Sequence, residues 1–222
     1  MPQPAPQVAG VDGDAIAAAG RQILADLDPW REWTKPAQAA IVRAALESFA
    51  ERGYHGTNLK HIAHGSGLST AALYVHFESK EGLLFALSNR GHAVALDLVV
   101  AAAAIPDPVT AMQVLVYAFS RWHAEQRTLA RVVQYEQGAL GPEHAEVIAE
   151  LRRATEKVVR ELVGRGVAAG RFTVTDVRGA TAAVLSLGID VARWYVPSSP
   201  WTPHDLGVLY AGLASRLLGA GG

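Results

Sequence analysis

The sequence predicts an all-α protein, with an N-terminal three-helix head that contains a helix-turn-helix and a larger C-terminal helical domain. Apolar residues recur at the spacing of a helix face along most of the chain. No segment alternates apolar and polar residues over a useful length, as a half-buried strand would. Serine, threonine or aspartate stands at most predicted helix starts, in two cases directly before a proline.

Composition places the chain among globular proteins, since half of its 222 residues are hydrophobic and 18% are charged. There is no cysteine, which excludes disulfides, zinc fingers and thiol catalysis. We expect no cofactor and no bound metal. The N-terminal residues lack the pattern of a secretory signal, and Asp97 interrupts the longest apolar stretch. A cytoplasmic protein without a membrane span is therefore expected.

The first 35 residues, 1–35, are predicted to form an extension ahead of the head. Residues 1–10 contain three prolines and little apolar surface, which predicts a mobile tail. In residues 12–27, apolar residues at relative positions 0, 7, 8 and 11 share one face, beginning with Ile16. This spacing predicts a helix.

The head is predicted over residues 36–84. Its first helix begins after Pro36 and stops at Gly53, because glycine readily takes the left-handed conformation that ends a helix. Thr57 is predicted to cap a short second helix and Ser69 a third, since hydroxyl side chains accept hydrogen bonds from the first free amides of a helix.

The C-terminal domain is predicted over residues 85–222 as a series of helices. Ser79 should cap the helix that leads into it, and Asp107 and Thr202, each followed by proline, should cap two later ones. A long helix is predicted to end at Gly170.

The short stretch from Leu59 to Leu73 matches a helix-turn-helix at five positions. This motif needs a small residue in its first helix, a turn residue that tolerates a left-handed backbone, and apolar residues that lock the two helices together. Counted from Leu59 as position 1, positions 4, 5, 9, 10 and 15 meet these needs: Ile62, Ala63, Gly67, Leu68 and Leu73. An ordinary helical hairpin would accept the same apolar spacing, but the polar residues nearby favour DNA binding.

Those polar residues surround the second helix of the motif. Its first turn, the part of a recognition helix that reads base edges, is formed by Ser69, Thr70 and Ala71. Candidate contacts to phosphate are Thr57, Lys60, Tyr74, His76 and Lys80. We expect double-stranded DNA as the partner. The sequence does not decide whether the residue 12–27 helix extends this contact or packs on the C-terminal domain.

The charge of the head predicts a dimer. Between Pro36 and Arg90 there are five basic and four acidic residues, so one head would bind phosphate weakly. We therefore expect a homodimer on a roughly palindromic operator. Small residues crowd the sequence between positions 179 and 188, and an apolar stripe marks the last helix: Leu206, Leu209, Tyr210, Leu213 and Leu217. Packing of this stripe within its own subunit is the alternative.

Residues 41–84, IVRAALESFAERGYHGTNLKHIAHGSGLSTAALYVHFESKEGLL, resemble the DNA-binding domain of TetR-family transcriptional regulators. The sequence departs from the family pattern in the HGSGL turn, at Asn58 in place of a hydroxyl residue, and at Ala71, where glycine is frequent. The resemblance implies a ligand-responsive DNA-binding regulator, most often a repressor, and not an enzyme.

The resemblance also implies that the C-terminal domain encloses an effector pocket, from about residue 92 to 196, and holds the dimer. Candidate ligand-binding residues are Arg121, Trp122, Tyr135, Arg193 and Trp194. The segment from Leu185 onward is similar, more loosely, to the branch of the family that responds to acyl-CoA thioesters. The expected effector is thus a hydrophobic small molecule or an acyl-CoA. Plain packing is the alternative for each aromatic residue.

Two other functions remain open at this point. The chain could be a ligand-independent or activating regulator, which keeps the same DNA chemistry. It could also be a small helical metalloenzyme, built from His123, His144 and several glutamates, Glu136 among them. Di-iron bundles repeat a Glu-x-x-His motif, however, and this sequence does not repeat that spacing.

Overall fold

The computed structural model describes residues 12–220, and within this range the chain forms ten α-helices, a short 3-10 helix and no strand. The all-α prediction is confirmed, while the predicted tail at residues 1–10 lies outside the described residues. The helices are α1 (Gly13–Ala25), α2 (Pro36–Gly56), α3 (Leu59–Ser66), α4 (Thr70–Tyr74), α5 (Lys80–Ala103), α6 (Pro108–Glu125), α7 (Arg127–Tyr135), α8 (Pro142–Ala168), α9 (Val177–Trp194) and α10 (Pro203–Leu217), with the 3-10 helix at Gln137–Ala139.

The chain divides into two compact units, each discontinuous in sequence. The first unit contains the residues up to Leu27, Ala95–Arg127 and the residues from Arg152 onward. The second unit contains Asp28–Val94 and Thr128–Leu151. The predicted helix-turn-helix therefore shares its unit with α7 and the beginning of α8.

In the second unit, α2 is interrupted at the predicted stop. Gly53 has φ 67° and ψ 170°, so helical geometry breaks there although the helix resumes as far as Gly56. The predicted cap at Thr57 is wrong. Asn58 caps α3, because its side chain accepts a hydrogen bond from the amide of His61, and Thr57 still belongs to the end of α2.

The turn between α3 and α4 has the predicted geometry. Gly67 ends α3 in the left-handed region, with φ 70°, and the amide of Leu68 donates back to the carbonyl of Ala63 at 3.0 Å. This pattern satisfies carbonyls at the end of the helix. Ser69 then caps α4 by accepting from the amide of Ala72 at 3.1 Å. The helix-turn-helix prediction is confirmed.

In the first unit, α6 is the central helix, and α1, α9 and α10 pack against it. The ring of Tyr117 is fully buried on α6 between Gly20 of α1 and Gly207 of α10, where a β-carbon would collide with the ring. The predicted helix at residues 12–27 is therefore confirmed, and it packs with the C-terminal helices.

Other predicted helix ends agree with the structure. The side chains of Ser79, Asp107 and Thr202 accept hydrogen bonds from the third residue beyond each of them. Among the described residues one helix, α5, is long and apolar enough by composition to cross a membrane. Half of its apolar window is buried inside the protein, which is typical of a core helix.

Candidate nucleic-acid interface and buried polar site

The three residues predicted to read bases form one turn at the start of α4. Ser69 and Ala71 are exposed and Thr70 is half-buried, while Leu73 on the opposite side of the helix is fully buried. Leu73 therefore anchors α4 in the core of the second unit. The anchoring leaves the first turn of α4 accessible to a DNA groove.

The exposed side chains beside this turn provide contacts of the kind that phosphate and sugar require. Tyr74 is 54% exposed and Val75 is 79% exposed. Lys60 is exposed on α3, and His76 is half-buried just after α4. Lys60, Tyr74 and His76 therefore have side chains that reach solvent, and their contacts to phosphate stay a prediction.

Thr57 and Lys80 instead make internal hydrogen bonds. Thr57 is 2% exposed, and its hydroxyl group lies 2.8 Å from the carbonyl oxygen of Ser48 and 2.9 Å from that of Gly53. The ammonium of Lys80 donates to the carbonyls of Tyr54 and Thr57, both at 2.7 Å. These bonds fix the backbone at the end of α2 and before α3. Both side chains therefore support the candidate DNA-binding surface through internal bonds.

Tyr54 completes this arrangement. Its ring lies 4.0 Å from the Lys80 ammonium, in cation–π geometry. Burial, and then the negative charge of Glu81, raise the pKa of the Tyr54 hydroxyl. The phenol therefore remains neutral at neutral pH.

Glu136 contacts the same turn, although sequence reasoning missed it as a contributor to this surface. Its Oε2 accepts a hydrogen bond from the amide of Tyr54 at 3.1 Å, across 82 residues of sequence. No local pattern around Glu136 indicates this contact, because the two residues become neighbours only when α7 packs in the second unit.

Glu81 and His144 form a second long-range contact in the second unit. His144 Nδ1 donates to the Glu81 carboxylate, at 2.8 Å and 2.9 Å from its two oxygens, and the amide of Gly141 donates to Oε1 at 2.9 Å. The His144 ring stacks on Phe85 with centroids 3.7 Å apart. The metalloenzyme alternative placed His144 in a catalytic or di-metal site. In the described part of the chain, no group of three or more His, Cys, Asp or Glu side chains could hold a metal ion.

Two of the candidate ligand-binding residues lie next to each other on α6. Arg121 donates to Glu125 at 2.7 Å and to the Tyr117 hydroxyl at 3.0 Å. That hydroxyl in turn lies within hydrogen-bond distance of His204 Nδ1, at 3.0 Å. Trp122 is 4% exposed.

Polar atoms without a partner lie buried near the end of α6. Trp122 Nε1, Ser120 Oγ and Arg127 Nε have no hydrogen-bond partner among the described residues. His123, also buried, donates from Nδ1 to the carbonyl of Phe119 at 2.8 Å, and burial lowers its pKa to about 4. The neutral ring keeps Nε2 as an acceptor. Buried polar atoms of this kind are costly unless something satisfies them.

The other three candidate ligand-binding residues are placed differently. Arg193 is exposed and pairs with Asp190 at 2.6 Å and 2.9 Å. Trp194 packs against the apolar cluster of the first unit that includes Tyr195. Tyr135 is 55% exposed and belongs to the second unit.

Comparison with known proteins gives two family matches that together cover most of the chain. Residues 41–87 match the family of bacterial regulatory proteins described as the tetR family. Residues 106–218, half of the chain, match the tetracyclin repressor-like C-terminal domain.

Individual relatives agree with these matches. A tetR-family bacterial regulatory protein from Rhodococcus RHA1 is 40% identical and has a TM-score of 0.78, over 85% of this chain and 100% of that chain. AibR, solved in complex with isovaleryl coenzyme A and operator DNA, is 21% identical, with a TM-score of 0.75 over 84% of this chain and 100% of that chain, and is similar in fold. The regulator UidR from Escherichia coli K12 is 36% identical over 61 residues, 28% of this chain. The chain spans less than a third of the curated relatives it matches.

Proposed function

Because the chain belongs to the TetR family of transcriptional regulators, we propose that it is a cytoplasmic, ligand-responsive repressor without catalytic activity. It binds a roughly palindromic operator as a homodimer and releases it when a hydrophobic or acyl-CoA-type molecule binds. The observation that carries the proposal is the turn at Gly67, which presents the first turn of α4 to solvent while Leu73 anchors the helix.

DNA reading is divided among the residues of this surface. Thr70 and Ala71, with Ser69, contact base edges, because they form the first turn of the recognition helix. Lys60, Tyr74 and His76 contact phosphate or sugar and set the register on the duplex. Thr57 and Lys80 support binding by holding the backbone between α2 and α3. Residues 36–84 thus form the DNA-binding module, and residues 1–35 its extension.

The dimer forms through α9 and α10, within the ligand-binding and dimerisation domain of residues 85–222. Gly179, Ala182 and Ser186 are exposed at helical spacing on α9, where small side chains allow a second helix to approach closely. Large apolar side chains also remain exposed in this part of the first unit: Val196, Trp201 and Leu217. Of the predicted stripe on α10, Leu206 is buried within the subunit and Leu217 is exposed. The stripe therefore packs partly within the subunit and partly against the second subunit.

The effector binds beside the end of α6. The unpartnered N–H groups of Trp122 and Arg127 are donors, so they suit an acceptor such as a thioester or amide carbonyl. The acyl chain would lie among apolar side chains, which is the usual lining of such sites. Arg121 lies at this part of α6 and is held by its bonds to Tyr117 and Glu125. The exposed Arg193, with Trp194, is a candidate for contacts to the coenzyme phosphates and ring. Tyr135, in the second unit, is a separate candidate for an effector contact.

Release of DNA requires that the effector bind the released state more tightly than the DNA-bound state. Both α5 and α8 have residues in the first and the second unit, and α5, which follows the head directly, transmits ligand binding to the recognition helix. In the dimer such a change would alter the separation of the two recognition helices, and both half-sites could no longer be contacted together.

Binding to selected DNA tests this function. The full chain would be used to select a duplex from a random library, and affinity would be measured by fluorescence anisotropy with and without isovaleryl-CoA and stearoyl-CoA. We expect binding as a dimer and release by an acyl-CoA. Trp122→Phe keeps the bulk of the side chain and should bind DNA normally but respond less. No binding at low salt by a confirmed dimer would overturn the proposal, and a reporter gene would separate repression from activation.

A further inference from the structure

The segment that joins α7 to the first turn of α8 (residues 136–144, the α7–α8 junction) contacts the DNA-reading part of the second unit at two points. One is the bond from the Tyr54 amide to Glu136, and the other is the cluster of Glu81, Gly141 and His144. Neither contact involves a residue that is proposed to touch bases or phosphate. Both lie within one compact unit.

At the first point, the backbone of Tyr54 is held on both sides. Its amide donates to Glu136 Oε2 at 3.1 Å, and its carbonyl accepts from Lys80 Nζ at 2.7 Å. Helical geometry breaks one residue earlier, at Gly53. Because both bonds involve a charged side chain, they are stronger than bonds between neutral groups. The short link from α2 to α3 is therefore positioned by Glu136 as well as by Lys80.

At the second point, Glu81 ties α5 to the α7–α8 junction. Its carboxylate accepts from the Gly141 amide and from His144, whose ring also stacks on Phe85 of α5. Lys80, the neighbouring residue at the start of α5, holds the carbonyl of Thr57 at the approach to α3. Two consecutive residues of α5 thus bond to the α2–α3 link and to the α7–α8 junction.

The α7–α8 junction directly follows α7 along the chain. Arg127, which carries an unpartnered Nε, is the first residue of α7, and Glu136 directly follows the last residue of that helix. A helix of nine residues can move as one element, so a shift of α7 would displace Glu136 with it.

We propose that Glu136, together with the Glu81–His144 pair, are positioning residues that couple α7 and the α7–α8 junction to the orientation of the recognition helix. The inference rests on the proposed function. We call this set of contacts, Glu136 with Tyr54 and Glu81 with His144, the joint. Displacement of the junction pulls on the Tyr54 backbone and on the start of α5. The recognition helix follows, because α3 packs against α2 and α4 packs against α3.

Three variants of the full chain test the joint: Glu136→Ala, which removes the acceptor, Glu136→Gln, which keeps an acceptor oxygen, and Glu143→Ala, a control at an exposed glutamate of the same segment. Affinity for the selected duplex, release by isovaleryl-CoA and stearoyl-CoA, and thermal unfolding would be measured for each. We expect Glu136→Ala to change DNA affinity, or the ratio of affinities with and without acyl-CoA, by about fivefold. Glu136→Gln should restore most of the wild-type behaviour, because it keeps the acceptor oxygen without the charge, and Glu143→Ala should match the wild type throughout.

The outcomes separate this inference from the proposed function. If the wild-type chain binds no DNA, the proposed function fails. If the wild-type chain binds and Glu136→Ala matches it in affinity and release, the joint is wrong. The joint is also wrong if Glu136→Gln fails to rescue, since loss of an acceptor could not then explain the effect. If neither thioester releases the wild-type complex, the comparison of DNA affinities decides alone. His144→Ala removes the bond to Glu81 and so tests the second contact of the joint. It should change DNA affinity in the same direction as Glu136→Ala.

Discussion

The ammonium of Lys80 lies 4.0 Å from the ring centroid of Tyr54 and donates to the carbonyl of the same residue at 2.7 Å. A lysine at the edge of a DNA-binding surface is ordinarily assigned to phosphate. Here its three N–H donors are largely occupied by the protein, since a second bond goes to the carbonyl of Thr57. The contribution of Lys80 to DNA binding is therefore tied to the stability of the α2–α3 link.

Replacing this lysine should affect folding as well as binding. We expect Lys80→Met to lower the free energy of unfolding by about 2 kcal/mol, because it removes charged donors from two carbonyls and a cation–π contact. The matched variant Lys60→Met should leave stability unchanged and reduce the slope of log affinity against log salt by about 1. Urea unfolding and a salt titration of binding measure the two effects. Equal stability of the two variants would contradict the structural role of Lys80.

Substitutions at Thr70 and at Tyr74 should affect DNA binding in different ways. We expect Thr70→Ala to change discrimination at one position of each half-site, by about 1 to 3 kcal/mol, because Thr70 lies in the first turn of α4. Tyr74→Ala should weaken binding to all duplexes alike, because its exposed ring and hydroxyl are proposed to contact the sugar-phosphate backbone of DNA. Binding to a panel of single-base variants of the selected duplex measures both. If the two variants changed sequence preference equally, the division of roles would be wrong.

The turn at Gly67 depends on backbone conformation alone. Its φ is 70°, and no atom lies close to where a β-carbon would stand. We expect Gly67→Ala to destabilise the protein by about 1 to 2 kcal/mol, the cost of a left-handed backbone for an L-residue. Gly164→Ala is the control, since that site within α8 is equally open but helical, and it should stabilise by about 0.5 to 1 kcal/mol. Chemical denaturation of both variants measures the change in the free energy of unfolding, which should be opposite in sign for the two.

Stability should fall with acidification because of His123. Burial lowers its folded-state pKa to about 4, below the ordinary value of 6.5. The unfolded chain therefore binds a proton that the folded chain excludes between these values, and stability present above pH 6.5 is lost as pH falls toward 4. The full loss is about 3 kcal/mol. His123→Gln should flatten the pH dependence of unfolding, which denaturant unfolding at pH values between about 4 and 7.5 would measure.

Much of the helical organisation could be predicted because its determinants are local. The caps at Ser69, Asp107 and Thr202 each involve an amide three residues away, and Gly67 acts on its own backbone. The misplaced cap at Thr57 shows where local reasoning ends. Its hydroxyl is equally suited to cap a helix or to donate inward to Ser48 and Gly53, and only the packed end of α2 selects the second.

The sequence by itself therefore determined an all-helical chain, the helix-turn-helix and the residues at its exposed turn, since interactions over three to five residues specify all of them. Tertiary structure alone decided that α1 packs beside Tyr117, that Lys80 points to Tyr54, and that Glu136 meets the Tyr54 amide across 82 residues. The physical reason is that a contact between distant segments depends on how whole helices pack, and no side-chain pattern within either segment records its eventual neighbour.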